Sequence, residues 1–127
     1  MVIVKPKMES VSFGLKVVHK EEDLQEAINF IVTEFQQQAL VEQFIPGREF
    51  AVGLLGNSPI EAFPVLEFDL EGDPNAIQTE EDKKKRPKEK VCPANLEPEL
   101  TGKMIEYSKQ AFRALELRDF ARVDIRM

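Results

Sequence analysis

The 127-residue sequence predicts an α+β fold of two small lobes, built mainly of antiparallel sheet with helices packed on one face. Three observations carry that expectation. Short apolar and β-branched runs come in neighbouring pairs joined by Pro, Ser, Gly and Asn turns. Apolar residues recur at helical spacing in two separate segments. The order strand pair, helix, strand, hairpin, loop, helix, strand runs through once, with no internal repeat.

Residues 2–4 and 15–18 read as a hairpin-like pair of strands around a loop of Pro, Ser and Gly. Glu21, Glu22 and Asp23 place negative charge in a first helical turn, and Leu24, Ala27, Ile28, Ile31 and Phe35 follow at helical spacing. That is an amphipathic helix of about four turns, with Gln36, Gln37 and Gln38 as its polar exit. "ALVEQFI" reads as a buried strand closing at Pro46-Gly47, where the first lobe, 1–46, ends. The second lobe, 47–127, opens with "REFAVGLLG", turns through Asn57-Ser58-Pro59 and returns along "IEAFPVLEF", an antiparallel hairpin. From about residue 72 to 90 the chain is charged and poor in apolar residues, an exposed loop long enough to suggest a function. Glu97-Pro98 starts a second helix, with Leu100, Met104, Tyr107, Ala111 and Leu115 on its buried face. Residues 119–127 form the closing strand, so both ends of the sequence lie close to strands, the expectation for a piece of a longer chain.

A formal net charge of −6 argues against general affinity for nucleic acid or an anionic membrane. The single cysteine, Cys92, excludes an internal disulfide framework and fits a reducing cytoplasm, and nothing reads as a signal peptide or membrane span. A soluble cytoplasmic protein is expected. Cys92 has no partner for a metal site and reads as small and partly buried, and His19 as a capping or surface residue.

Few residues look chemical on their own. Lys5, at a strand end and held extended by Pro6, is either a solvated cation or a fixed charge for a phosphate oxygen. Ser10, Ser12 and Gly14 make either a plain turn or a cradle of small residues around an anion. Glu42 lies between apolar Val41 and Phe44 and calls for a donor, with an ion pair to a basic neighbour as the plain alternative. Asp124 shares a strand face with Arg122 and forms either an Arg-Asp pair, the slightly favoured reading, or a ligand for Mg²⁺. The run from Lys83 to Arg86 is by default a solvated patch.

Taken in order, the phrases "VKP", "ESVSFG", "LVEQFIPGREFAVGLLGN", "CPANL" and "ARVD" resemble the ATP-grasp fold, and within it the D-alanine:D-alanine ligase family, across essentially the whole chain. The resemblance implies ATP bound between two lobes. Lys5 would touch the α and β phosphates, with Glu9, Ser10, Ser12 and the backbone before Gly14 as the loop that folds over them. Glu42 would accept from the adenine amino group, the backbone of Gln43, Phe44 and Ile45 would complete the ring's edge, and Glu49 would hold the ribose hydroxyls. Arg122 would stabilise a developing oxyanion, and Asp124 would be the first ligand of Mg²⁺, or of Mn²⁺ in its place. Family members also carry a phosphate-reaching lysine in a Tyr-Glu-x-Lys context. "TEEDKK" has Glu80 where that tyrosine is expected, and Lys83 fills the role after a small shift.

The chemistry so implied is an acyl phosphate followed by an amide bond, in cell-wall precursor synthesis, with ATP and small amino-acid or carboxylate substrates as partners and a homodimer left open. The family's Glu-x-Asn metal ligands and its preceding domain are not in the sequence, so the chain by itself is expected to have little or no ligase activity. Two other readings stand beside it: a nucleotide-binding module that keeps the fold without the chemistry, and an ATP-grasp ligase of other substrate specificity.

Overall fold

The computed structural model describes residues 1–78 and 88–127. They divide into two units, Met1–Ile45 together with Ile77 and Gln78, and Pro46–Ala76 together with Lys88–Met127.

In the first unit the β-branched run near the start forms β1 (Val2–Pro6), the middle strand of a three-stranded antiparallel sheet. β2 (Lys16–Val18) pairs with it on one edge and β3 (Ala39–Gln43) on the other, with Val4 opposite both Lys16 and Val41. Helix α1 (Leu24–Phe35) covers one face of this sheet. Val4, Val18, Ala27 and Ile31 are buried between them, with Leu24, Ile28, Phe30, Phe35 and Ala39 packed around. Glu21–Asp23 forms a 3₁₀ turn that leads into α1 rather than the first turn of the α-helix itself. The helix stops at Gln36, which takes a left-handed conformation at φ 51°.

One strand differs from expectation. The run from Ala39 to Ile45 has the composition of a buried strand, yet β3 ends at Gln43 and its residues from Leu40 onward are exposed, Val41 by 41%. β3 is an edge strand, and only Ala39 of it joins the core under α1. The buried apolar residue is Phe44, just past the strand.

The second unit is organised around β4 (Glu49–Leu55). One edge of β4 pairs along its whole length with β8 (Phe120–Arg126), from Glu49 opposite Arg126 to Leu55 opposite Phe120. The other edge pairs with β6 (Leu66–Phe68) and β5 (Glu61–Ala62). The expected return strand is thus split in two. Phe63 still donates its N–H to the Gly53 carbonyl at 2.9 Å, but Pro64 has no N–H to continue the ladder. β7 (Lys90–Val91) pairs with β6, a short strand at the end of what the composition marks as loop.

Helix α2 (Pro98–Ala114) begins with Pro at its first position, where a missing N–H costs nothing. Its inner face differs from the apolar periodicity. Met104, Ser108 and Phe112 are buried, Leu100 and Ala111 are half-buried, and Tyr107 and Leu115 are 64% and 69% exposed. Ser108 is tolerated inside because its hydroxyl donates to the Met104 carbonyl at 2.7 Å. Met104 and Phe112 pack with Phe50, Val52, Leu54, Ile60 and Val65 into the core of this unit. Cys92, expected to be partly buried, is exposed, because it follows a two-residue strand whose own residues face solvent. Among the described residues no helix is long and apolar enough to cross a membrane.

Candidate functional site

In the first unit, strand alternation decides which residues meet. Val2, Val4 and Pro6 point one way along β1 and Ile3 and Lys5 the other, away from α1. Ile3 stands opposite Glu42 and Lys5 opposite Leu40, so Lys5 and Glu42 are diagonal neighbours on the face the helix leaves open. Their side chains form an ion pair, the plain alternative that the sequence allows for Glu42. Each is more than a third exposed. The two residues assigned by the resemblance to the phosphate and adenine ends of one nucleotide therefore stand together. Of the ring-edge residues, Phe44 has its N–H on the Met1 carbonyl at 3.3 Å and its side chain buried, while Ile45 is exposed.

The loop after β1 is tightly tied. Phe13 donates its N–H to the Ser10 carbonyl at 3.0 Å, and Val11 and Ser12 between them have φ of 52° and 61°. A β-branched residue in this region is uncommon. The Phe13 ring packs edge-on against Phe35 at 5.1 Å, and Gly14 sits so close to Phe35 and Pro6 that a Cβ would overlap both. Gln37 brackets the root of the loop: its Oε1 accepts the Met8 N–H at 2.8 Å and its Nε2 donates to Glu9 Oε1 at 2.9 Å. Gln38 adds its carbonyl to the Lys7 N–H at 3.1 Å. The glutamine run is thus an anchor for the loop and not only a polar exit from α1, and Glu9 is part of that anchor.

In the second unit, Glu49 on β4 and Arg122, Asp124 and Arg126 on β8 share the face opposite the core, since Phe50, Val52 and Leu54 and, on β8, Ala121, Val123 and Ile125 alternate with them. Arg122 and Asp124 face Gly53 and Ala51 across the ladder. Arg122 binds Asp124 with both arms of its fork, Nε to Oδ1 at 2.7 Å and Nη2 to Oδ2 at 3.0 Å. This hydrogen bonding raises the Arg122 pKa above its ordinary value, and the charges of Asp124 and Glu49 add to it while burial works against it. The Arg-Asp pair favoured by the sequence is formed. Asp124 offers a hard oxygen ligand, but among the described residues no three His, Cys, Asp or Glu stand together. The described residues therefore do not by themselves complete a Mg²⁺ or Mn²⁺ site.

Beside this row, Gly47, Arg48, Glu67, Leu70 and Asp73 line a cleft of about 290 Å³. Arg48 crosses it in a two-pronged bond to Glu67, both contacts at 2.7 Å, and Glu67 raises the Arg48 pKa. Glu67 and Arg126 carry no motif, and Arg48 lies inside the phrase "LVEQFIPGREFAVGLLGN" without being given a role by it. The one available signal is that Arg126 continues the two-residue step from Arg122 and Asp124. Lys83 lies outside the described residues.

Two antiparallel sheets, each with a helix on one face, match the ATP-grasp class of fold. The model of the D-ala D-ala ligase C-terminus matches residues 1–127, and the chain belongs to that family. It is 44% identical over 128 residues to the uncharacterized protein y4sG of Sinorhizobium fredii, covering 99% of this chain and 38% of that protein. It is 36% identical over 123 residues to a D-alanine–D-alanine ligase of Desulfotalea psychrophila, covering 96% of this chain and 38% of the ligase. Among solved structures, the D-alanine-D-alanine ligase from Coxiella burnetii superposes with a TM-score of 0.79 at 20% identity, over 98% of this chain and 31% of that one. The VanG D-Ala:D-Ser ligase from Enterococcus faecalis gives 0.75 at 25% identity, over 98% and 36%. The D-alanine–D-alanine ligase from Bacillus anthracis, solved in complex with ATP, gives 0.74 at 19% identity, over 99% and 36%. The chain spans 38% of the length of each of these two curated relatives.

Proposed function

We propose that this chain is the ATP-handling part of a carboxylate–amine ligase of the D-alanine–D-alanine type, with lobes 1–46 and 47–127. The observation that most supports this is the gathering of sequence-distant groups on open sheet faces: Lys5 with Glu42 in the first unit, and Glu49 with Arg122 and Asp124 in the second. Lys5 offers a compact cation to the α and β phosphates, and Glu9, Ser10, Ser12 and the backbone before Gly14 supply the loop over them. Glu42 accepts from the adenine amino group, the backbone of Gln43 to Ile45 meets the ring's edge, and Glu49 takes the ribose hydroxyls. Lys83 reaches the phosphates from the long loop.

In the reaction, a substrate carboxylate oxygen attacks the γ-phosphorus and ADP departs, leaving an acyl phosphate. An amine then attacks the acyl carbon, an amide forms and phosphate leaves. Arg122 stabilises negative charge on the oxygen of that carbon, with Asp124 holding its guanidinium in place. ATP is the nucleotide and Mg²⁺ the expected ion, for which Asp124 is one ligand of a set the described residues do not finish.

Calorimetric titration of the chain with ATP tests the reading. Saturable binding of ATP that exceeds that of GTP is expected, and absence of binding would refute it. A coupled ADP-release assay on the same chain is expected to give little or no turnover. A second reading, a nucleotide-binding module without chemistry, draws support from "TEEDKK", where Glu80 stands in place of the tyrosine expected by the resemblance. It predicts ATP binding without turnover even when the chain is returned to its full-length setting.

A further inference from the structure

Arg126 continues the row of Arg122 and Asp124 at the same two-residue step, and its side chain is 16% exposed where theirs are 59% and 53%. Its guanidinium meets one carboxylate and two backbone carbonyls among its partners. Nη1 lies 3.4 Å from Glu49 Oε2, and Nη2 donates to the Pro74 carbonyl at 2.9 Å and the Ala76 carbonyl at 2.7 Å. The Pro74 carbonyl also accepts the Gly47 N–H at 2.7 Å. One planar cation thus joins the side chain at the head of β4 to the backbone of residues 74–76. An ammonium on a lysine stem cannot serve both sides of that fork at once.

We propose that Arg126 is a positioning residue for the nucleotide. It fixes the Glu49 carboxylate for the ribose hydroxyls and ties that carboxylate to the backbone of residues 74–76. The inference rests on the reading of Glu49 as the ribose ligand. A carboxylate accepts several hydrogen bonds at once, so Arg126 can hold it while hydroxyls donate to it. Without the guanidinium, Glu49 would lose one of the contacts that hold its carboxylate, a cost that appears as lost affinity.

The test compares ATP with 2′,3′-dideoxy-ATP, which lacks both hydroxyls, by calorimetric titration of the wild-type chain, Arg126→Gln and Arg126→Lys. The expected result is that the wild type prefers ATP and that Arg126→Gln weakens ATP binding by about 2- to 10-fold, with dideoxy-ATP unchanged. Arg126→Lys, which keeps the charge but not the fork, should fall between them. If Arg126→Gln prefers ATP as strongly as the wild type does, the inference is overturned and Glu49 keeps its role. A wild-type chain that binds both nucleotides alike, or neither, removes the ribose role of Glu49 and the inference with it. Hydrogen exchange at the Gly47 amide tests the tie without any nucleotide. Exchange should be about tenfold or more faster in Arg126→Gln, and an unchanged rate would overturn the tie.

Discussion

Replacing Lys5 by methionine separates a structural role from a nucleotide role, because the two carry different magnitudes. In the free protein Lys5 pairs with Glu42, and the side chains are 36% and 46% exposed. A pair so accessible to water contributes about 0.2–1 kcal/mol, toward the lower end after solvent screening. Lys5→Met should therefore lower the melting temperature by no more than about 4 °C. A lysine contact to phosphate is a charged hydrogen bond worth about 1.5–3 kcal/mol, so its loss should weaken ATP about 10- to 150-fold. Adenosine, which has no phosphate, should bind the variant as it binds the wild type. Calorimetric titration with both ligands, beside a thermal melt, reads all three quantities. Equal weakening of ATP and adenosine would show that Lys5 acts through the local fold. Unchanged ATP affinity would remove it from the phosphate site altogether.

Other perturbations probe the scaffold. Gly47 has φ 131° and a Cβ there would overlap the Met127 carbonyl, so Gly47→Ala should cost about 1–3 kcal/mol or more in urea unfolding, and a neutral result would refute the close approach of Gly47 to Met127, just beyond the paired ends of β4 and β8. Phe112→Ala should cost about 3–5 kcal/mol and Tyr107→Lys less than about 0.5 kcal/mol by the same measurement, and the reverse order would put the inner face of α2 where the apolar periodicity places it. Cys92 should react at once with a thiol reagent in the native chain and tolerate Cys92→Ser within about 0.5 kcal/mol; protection until unfolding would contradict its exposure.

The helices and most strands are legible in the sequence because each is written locally, in apolar spacing and turn residues. What stays illegible depends on partners distant in sequence. The face of α2 is one case: Ser108 lies at the centre of its buried stripe, and apolar counting skips a serine whose hydroxyl is satisfied by its own helix. β3 is another, since the same apolar run serves a covered strand or an edge strand, and only the position of α1 decides. In the site, the Arg122–Asp124 pair is readable because both residues lie on one strand at a two-residue step. Lys5 with Glu42 and Arg126 with Glu49 depend on strand registers that local patterns do not contain. The glutamines after α1 look like mere polarity until the chain folds back and sets residues 7–9 against them.

The full-length pairing of β4 with β8 makes this half of the protein sensitive to parity. Even-numbered shifts between the strands would keep acids and bases outside and Phe50, Val52 and Leu54 inside. A shift of a single residue would invert the strand, turning Arg122, Asp124 and Arg126 into the core and Ala121, Val123 and Ile125 out to solvent. Substitutions on the outer face can therefore vary the chemistry one position at a time. A one-residue insertion or deletion within either strand has no intermediate outcome, and should remove stability and ligand binding together.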